Sequence, residues 1–278
     1  MSDTVNLIEA INDLGPWHHK VEVRPGIYTV PGESDKNKHG TAPVVFIDDR
    51  EEFKKLIESI YPRGIEGKSL LDSACNCGAY SMFFQQFGGE KSLGFDAREH
   101  WIAQANFLRE NLVLNRNSAK FVVSDLYDVK NMGLSPFSVS LFKGIFYHLP
   151  DPIGGLKVVA DLTDELMIFN SASRRSSVPG LVIASENTKN VMSGMHGLNW
   201  FPSDPDVVVE ILRTMGFVDF RVLFWHKRPG FKVGTKRGFI RYVKNIIKGN
   251  GRFALLASKR RGLFDDFDRN TVKANYGH

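Results

Sequence analysis

The apolar residues of this chain alternate between short continuous runs and stretches with helical spacing. Residues 69–71 form a short, mostly apolar run that is typical of a buried strand, and residues 49–61 carry apolar side chains on one helix face. The alternation continues towards the carboxyl end of the chain. It predicts an α/β fold with a parallel sheet, in which ligands bind beyond the carboxyl ends of the strands.

The later elements and the domain layout follow from the same pattern. Further strands are predicted at residues 92–95, 121–123, 139–142, 166–169, 220–225 and 253–257. Helices are predicted at residues 101–114, 153–162 and 206–215. Residues 171–203 are expected to be a connection that forms much of the wall of a binding site. Residues 1–60 are expected to be an N-terminal extension or lid, and residues 61–278 the main domain.

The turn that follows the first strand of the sheet carries the strongest chemical signal. Asp72 ends the strand, and the small residues Ala74, Asn76 and Gly78 let the backbone approach a ligand before a helix begins near Ala79. The amino end of that helix offers free N–H groups. The pattern is typical of a cofactor site, and an ordinary turn between a strand and a helix is the alternative.

A second carboxylate indicates which kind of cofactor is bound. Asp96 lies 24 residues after Asp72, at the end of the next strand, where a carboxylate accepts both hydroxyls of an adenosine ribose. The turn lacks the G-x-G-x-x-G pattern that closes around a pyrophosphate, because Ala74 and Asn76 stand in place of glycines. S-adenosylmethionine (SAM), which has no phosphate, is therefore expected, and a nicotinamide cofactor is disfavoured.

Composition limits the class of protein but does not indicate a reaction. The chain has 278 residues, of which 42% are hydrophobic, enough for a substantial core. No apolar run approaches the roughly 18 residues of a spanning helix, and residues 1–15 lack the layout of a secretory signal, so a cytoplasmic protein is expected. Cys75 and Cys77 lie in the cofactor turn without a second Cys or His pair, so they are predicted to be small turn residues and no metal is expected.

The positive charge is concentrated in one region. The formal net charge is +5, but residues 227–261 contain twelve Lys or Arg and no Asp or Glu, which leaves the remainder at −7. An insertion at about 227–251 carries an apolar helical stripe opposite a basic one, which consists of Arg237, Arg241, Lys244 and Lys248. The insertion is expected to overhang the substrate entrance. Three interpretations of the insertion stay open: an ordinary packed helix, a contact with RNA phosphates, or a helix that holds the protein at an anionic membrane surface.

With these segments placed, the chain resembles the class I SAM-dependent methyltransferases over about residues 65–259. It is most similar to the branch that contains the tRNA wobble-uridine carboxymethyltransferases and related small-molecule O-methyltransferases. The matching segments occur in order at residues 72–78, 94–96, 124–126, 144–148 with 151–152, 199–203 and 214–217. The resemblance implies a Rossmann-like α/β fold with a seven-stranded, mostly parallel sheet whose last strand is antiparallel.

The resemblance also implies roles for individual residues. The methionine portion of SAM would contact the first turn at Asp72, Ala74, Asn76 and Gly78. The nucleoside portion would contact Asp96, Asp125 and Leu126, and the tip of the fourth strand would complete the cofactor site with Lys143 and Gly144.

Two further positions bear on the form of the cofactor. Tyr147 and Arg252 match positions that help to hold the extra carboxylate of carboxy-SAM in the tRNA branch. The Lys and Trp that accompany them upstream of the first strand are lacking in this chain. Plain methyl transfer is therefore expected.

Transfer of a methyl group to a hydroxyl requires a base near the acceptor. His148 is the first candidate, because it follows the tip of the fourth strand and an unperturbed histidine titrates near pH 6.5. The alternative is that Tyr147 and His148 cap the loop. Glu186 and Tyr147 are further catalytic candidates, and the predicted substrate-binding residues are His196, Asn199, Trp200 and Arg252.

The function expected is SAM-dependent methylation of a hydroxyl on a sugar, a glycolipid or another small metabolite. A nitrogen acceptor stays open, because an amine also loses a proton and would use the same base. One alternative is an enzyme similar to the tRNA wobble-uridine (carboxy)methyltransferases. Another is a methyltransferase-like binding protein that performs no chemistry, with the basic insertion as its binding surface.

Overall fold

A computed structural model describes residues 2–29, 47–112, 118–188, 193–226 and 250–267. In this part of the chain, strands and helices alternate as the hydrophobic pattern predicts. The described residues divide into two compact units, one that extends to Val129 and one that begins at Lys130.

The first unit begins with a helix and a small antiparallel hairpin and continues with three longer strands. Its helices are α1 (Ser2–Asp13), α2 (Arg50–Ile60), α3 (Ala79–Gln86) and α4 (Glu99–Asn111). Its strands are β1 (Glu22–Arg24), β2 (Ile27–Tyr28), β3 (Ser69–Ser73), β4 (Lys91–Asp96) and β5 (Ala119–Val123). A 3-10 helix follows β5 at Leu126–Met132.

The second unit contains longer strands and fewer helices in its described part. Its strands are β6 (Phe137–Lys143), β7 (Thr163–Arg174), β8 (Leu181–Ser185), β9 (Leu198–Pro202), β10 (Asp219–His226) and β11 (Asn250–Ser258). Its helices are a 3-10 helix at Phe146–His148, α5 (Pro152–Asp161) and α6 (Pro205–Thr214).

Seven strands form one sheet in the order β10-β11-β7-β6-β3-β4-β5. β4 pairs in parallel with β3 and with β5, and β6 pairs in parallel with β7. β11 is antiparallel to both of its neighbours, β7 and β10. The predicted Rossmann-like arrangement, a seven-stranded and mostly parallel sheet with an antiparallel last strand, is therefore confirmed.

Burial explains why these segments adopt their structures. Every residue of β3 is buried, as expected for a strand that is covered on both faces. α2 buries one stripe, formed by Phe53, Leu56, Ile57 and Ile60, as the helical spacing predicts. The carboxyl ends of β3 and β4 are thereby held rigidly, and these ends carry Asp72 and Asp96.

The N-terminal residues pack within the first unit. The indole nitrogen of Trp17 donates a hydrogen bond of 2.7 Å to the carbonyl of Ile11. The amide of Gln104 in α4 donates to the carbonyls of Leu14 at 2.7 Å and Pro16 at 3.0 Å. These bonds fix the segment after α1 on α4, while a lid role for residues 1–60 stays a prediction.

The largest difference from the predicted elements lies between β7 and α6. β7 is twelve residues long, because β11 pairs with it as far as Arg174 and keeps its polar end in the sheet. The predicted connection at 171–203 also contains a hairpin, in which β8 pairs with β9 from Leu181↔Pro202 to Ser185↔Leu198. No short turn signal announces this hairpin, since a long segment separates its two strands.

Two predictions concern surfaces and membranes. The basic residues Arg237, Arg241, Lys244 and Lys248 lie outside the described residues. None of the helices in the described ranges combines the length and the apolarity that crossing a bilayer requires.

Candidate cofactor and acceptor sites

The predicted cofactor turn has an unusual backbone. Ala74 and Asn76 adopt φ angles of 53° and 51°, and Gly78 adopts a φ angle of 70°. Side chains other than glycine rarely adopt this left-handed region, and such residues concentrate at ligand-binding sites. The side-chain oxygen of Asn76 accepts a hydrogen bond of 2.8 Å from the Cys77 N–H, which supports the strained turn locally.

Asp96 connects this turn to the end of β4. Its Oδ2 accepts a hydrogen bond of 3.1 Å from the Asn76 N–H, and its Oδ1 accepts one of 3.0 Å from the Arg98 N–H. Burial raises the pKa of the Asp96 carboxyl, because desolvation disfavours the charged form, while the N–H groups of Arg98 and Asn76 act against this shift. Each carboxylate oxygen keeps a further lone pair, which suits recognition of a ribose diol.

Two glycines allow β5 to pack closely beneath the turn. A Cβ at Gly78 would lie 2.4 Å from Cε1 of Phe121, and one at Gly94 would lie 2.7 Å from Cδ1 of the same ring. Asp72 is buried and its Oδ2 accepts a hydrogen bond of 3.0 Å from the Ser81 hydroxyl. Gly78 therefore has a packing role in addition to its predicted role in ligand approach.

Asp125 and Leu126 follow β5, at the predicted adenine position. Asp125 Oδ1 accepts a hydrogen bond of 2.9 Å from the Tyr127 N–H, which begins the 3-10 helix. Leu126 is buried, with 4% of its surface exposed. The first unit thus offers a carboxylate that accepts hydrogen bonds from hydroxyls, beside a turn with small side chains, and this arrangement fits SAM.

The two thiols of the turn are structural in character. Cys75 and Cys77 are buried and free. Burial raises the pKa of Cys77 to about 12 and that of Cys75 well above its ordinary value, so both stay protonated at neutral pH. Among the described residues, no group of His, Cys, Asp and Glu is arranged to hold a metal ion.

In the second unit, β6 ends at Lys143 and leads into the segment with the candidate base. Gly144 adopts a φ angle of 76°, and its N–H donates a hydrogen bond of 2.9 Å to the carbonyl of Asn170. The chain then forms the 3-10 helix at Phe146–His148. The rings of Tyr147 and His148 lie 4.1 Å apart between their centroids.

His148 and Glu186, which sequence analysis named separately, are brought together. His148 Nδ1 lies 2.7 Å from Glu186 Oε1 and 3.1 Å from the backbone nitrogen of Gly194. One nitrogen does not donate and accept at the same time, and a proton on Nδ1 gives the stronger, charge-assisted bond to the carboxylate. With Nδ1 held in this way, Nε2 is the ring nitrogen at which His148 would act as a base.

The hairpin β8–β9 supports this pair. The side-chain amide of Asn199 donates a hydrogen bond of 3.1 Å to the carbonyl of Tyr147, and the ring of Phe201 stacks on that of Tyr147 at 5.9 Å. Trp200 is partly buried, and its Nε1 has no hydrogen-bond partner among the described residues. His196 is exposed and lies in the segment between β8 and β9.

Three further residues stand out that sequence analysis did not name: Asn170, Arg174 and Gly194. A Cβ at Gly194 would lie 2.8 Å from both Glu186 Oε2 and His148 Cβ, so this position has no room for a side chain. Arg252, the predicted substrate residue, donates from Nε to Asn170 Oδ1 at 2.9 Å. The polar residues after Phe169 are the sequence signal for this site, although their pattern predicts a connection and not a strand.

Comparisons with known proteins agree on the fold. No family model matches the sequence. The tRNA U34 carboxymethyltransferase of Campylobacter lari is 32% identical over 97 residues, which are 35% of this chain and 32% of that protein. The match therefore spans about a third of the length of this curated relative.

Solved structures extend the agreement to almost the whole chain. The N-terminal domain of EvdMO1, crystallised in the presence of SAH and D-fucose, has a TM-score of 0.66 at 16% identity and covers 93% of this chain and 97% of that chain. A putative S-adenosylmethionine dependent methyltransferase from Listeria monocytogenes has a TM-score of 0.51 at 12% identity, with coverages of 77% and 98%. The chain therefore has the fold of the class I SAM-dependent methyltransferases, as its sequence motifs predict.

Proposed function

We propose that this protein is a SAM-dependent methyltransferase that methylates a hydroxyl group of a sugar, a glycolipid or another small metabolite. The observation that carries the proposal is the pair formed by His148 Nδ1 and Glu186 Oε1 at 2.7 Å. A histidine whose Nδ1 is held by a carboxylate is oriented to accept a proton at Nε2.

The first unit would hold the cofactor. Asp96 would accept the ribose hydroxyls, and the turn at 74–78 would face the methionine portion, with Asp125 and Leu126 beside the adenine. Bound SAM would supply a methyl group from a positively charged sulfur, and the sulfur of the leaving S-adenosylhomocysteine would keep the electron pair of the broken carbon–sulfur bond. The similarity to the Campylobacter lari tRNA U34 carboxymethyltransferase and to SAH-bound EvdMO1 supports this choice of cofactor.

The residues of the second unit would handle the acceptor. His148 Nε2 takes the hydroxyl proton as the oxygen attacks, and Glu186 stabilises the positive charge that this places on the ring. Asn199 holds the backbone of Tyr147, which fixes the neighbouring histidine. Gly194 packs against both His148 and Glu186, so a larger residue has no space at this position. Trp200 and Arg252 would contact the acceptor.

The proposal is tested by incubating the purified protein with SAM labelled in its methyl group and with a fractionated cell extract. We expect formation of S-adenosylhomocysteine and entry of the label into a sugar or lipid fraction. Binding of SAM without any turnover would favour a binding protein, and no binding of SAM would refute the enzyme assignment.

A second candidate function is favoured by the 32% identity to the tRNA U34 carboxymethyltransferase. Under this alternative the label enters RNA. Carboxy-SAM would then bind more tightly than SAM, with Tyr147 and Arg252 at its carboxylate. The absence of the accompanying Lys and Trp upstream of β3 favours plain methyl transfer.

The basic residues Arg237, Arg241, Lys244 and Lys248 would recruit an anionic partner, either a membrane surface or RNA. Replacing all four with Gln is expected to weaken association with anionic vesicles or with RNA while leaving SAM affinity unchanged. If neither association changes, these residues form an ordinary solvated face.

A further inference from the structure

Three polar side chains of the second unit lie on one face of two neighbouring strands. Arg252 in β11 pairs with Ala172 in β7, and Asn250 pairs with Arg174. Because alternate residues of a strand share a face, Asn170 and Arg174 lie on the same side of the sheet as Arg252. All three present hydrogen-bond donors at this end of β7.

Asn170 contributes a donor that the described protein does not use. The residue is fully buried, its Oδ1 accepts the bond from Arg252 Nε, and its Nδ2 has no hydrogen-bond partner among the described residues. The amide orientation follows from chemistry, because a flipped amide would place Nδ2 against a guanidinium that has only donors. A buried donor without an acceptor is costly, which points to a ligand that supplies one.

Arg174 extends the row towards the candidate base. Its Nε donates to Asn250 Oδ1 at 3.2 Å, and its guanidinium lies 4.5 Å from the centre of the Phe201 ring. Phe201 stacks on Tyr147, which adjoins His148. The guanidinium thus lies over an aromatic ring with its Nε bonded, and its two terminal nitrogens remain for a bidentate contact.

The two arginines carry positive charges that no acidic side chain of the described residues neutralises. Within the described residues, neither Arg174 nor Arg252 has a carboxylate within salt-bridge distance. Each guanidinium is instead held at Nε by the neutral amide oxygen of an asparagine. Both arginines are partly exposed, so a ligand has access to them. Two positive charges and an unused donor on one face are suited to a negatively charged group.

We infer that this face is an anion-binding surface for the acceptor, in which Arg174 would hold a phosphate or carboxylate group while Arg252 and Asn170 Nδ2 would contact further acceptor oxygens along the row. The inference rests on the proposed function, because it assigns the anion to the molecule that is methylated. The resemblance connects Arg252 alone with a carboxylate of the cofactor and gives Arg174 and Asn170 no role. Arg174 follows Asn170 by four residues, about 13 Å along the strand, and contacts the aromatic surface beside His148.

The first test titrates inorganic phosphate into the purified chain and follows binding by phosphorus NMR. Arg174→Ala is expected to raise the Kd of phosphate about 10- to 100-fold, as expected for loss of a charge-assisted bond. Arg174→Lys, which keeps the charge but loses the planar fork, should give an intermediate Kd. Arg175→Ala is the matched control, since the neighbouring arginine is exposed and outside the row, and it should leave the Kd unchanged.

Equal weakening by Arg174→Ala and Arg175→Ala would overturn the site, because general surface charge would then explain the binding. An unchanged Kd in Arg174→Ala would overturn it as well. Thermal unfolding of each variant is measured in parallel, and Arg174→Lys provides the comparison if Arg174→Ala does not fold.

A second test separates the acceptor from the cofactor as the source of the anion. SAM and phosphate are expected to bind together, and Arg174→Ala should leave the affinity for SAM and for carboxy-SAM unchanged. A selective loss of carboxy-SAM binding in Arg174→Ala would assign the anion to the cofactor and refute the inference. Failure of the proposed function has a different signature, since phosphate would then still bind while SAM does not.

Discussion

The two units build their candidate sites over very different lengths of chain. In the first unit, the Asn76 N–H bonds to Asp96 across 20 residues, within one consecutive strand, turn, helix and strand. In the second unit, Asn199 bonds to Tyr147 across 52 residues and Arg252 to Asn170 across 82 residues. The first arrangement is fixed by local backbone geometry, whereas the second depends on pairing between distant strands.

The two arrangements suit the two proposed roles. A motif with positive φ angles and glycines of fixed position suits a cofactor whose shape is constant. An arrangement of side chains from a hairpin and two neighbouring strands changes more readily, which suits an acceptor that differs between related enzymes. Variants in the first unit should therefore change SAM affinity, and variants in the second should change transfer at constant SAM affinity.

The largest effect is expected from Asp96→Ala. Two hydrogen bonds from ribose hydroxyls to a carboxylate are lost, and at about 1.5–3 kcal/mol each the Kd of SAM should rise about 10²- to 10⁴-fold. Titration calorimetry with SAM measures this change. Asp128→Ala is the control, because Asp128 is exposed in the adjacent 3-10 helix and should leave the Kd unchanged. Unchanged affinity in Asp96→Ala would remove this residue from the cofactor site.

His148→Ala should have the opposite effect and impair transfer but not SAM binding. Loss of the base is expected to lower transfer by about 10²- to 10⁴-fold while the Kd of SAM stays constant. Transfer of label to the acceptor and calorimetry with SAM give the two quantities. Full turnover in this variant would exclude His148 from the mechanism. A loss of both SAM binding and transfer would contradict the expectation that variants in the second unit leave SAM affinity unchanged.

Gly194→Ala should give a smaller effect of the same kind. Its Cβ would lie 2.8 Å from His148 Cβ and 2.9 Å from the His148 carbonyl oxygen, so the histidine must move. A displacement near 1 Å is expected to cost about 10²-fold in transfer. Gly180→Ala is the matched control, because no atom lies within 4 Å of the new Cβ. Equal activity of both variants would show that the position of His148 is not limiting.

Gly78→Ala tests the rigidity of the first unit through stability. The new Cβ would lie 2.4 Å from the Phe121 ring, and overpacking costs about 1–3 kcal/mol in the free energy of unfolding. Gly67→Ala is the matched control. Gly67 has a φ angle of 73°, close to the 70° of Gly78, but a Cβ at Gly67 would meet no atom within 4 Å. Denaturant titration of both variants isolates the effect of close packing. Equal destabilisation would mean that the turn adjusts freely.

The pH dependence should be the mildest effect. Burial raises the pKa of Asp96, so its proton binds more tightly in the folded state than in the unfolded state. The contribution of Asp96 to stability is therefore present at low pH and is lost as the pH rises through the folded pKa. SAM affinity should show the reverse trend and fall on acidification through that same pKa, because the Asp96 carboxylate loses the negative charge that attracts the ribose hydroxyls.

Asp96→Asn provides the control for this pH dependence. Neither trend should remain in this variant when stability and the Kd of SAM are measured between neutral pH and acid conditions. A wild-type SAM affinity that is constant over this range would contradict a role for the ionised carboxylate.

Sequence patterns predicted the elements around the cofactor turn with small errors. β3, β4 and β5 begin and end close to the predicted positions, and α2 buries the predicted stripe. The second unit was predicted less completely. The polar end of β7 has no apolar run that predicts a strand, and the long segment between β8 and β9 gives no short turn signal that pairs them as a hairpin.

The sequence by itself determined the class of fold and the candidate cofactor residues, because strand ends, small turn residues and Asp96 are close in the chain and their spacing carries the geometry. The tertiary structure alone decided that Glu186 lies beside His148, that Gly194 leaves room for both, and that Arg174 joins Arg252 and Asn170 on one face. The physical reason is that strand register and hairpin packing bring these residues together, and long-range pairing leaves no periodic signal in the residues that it joins.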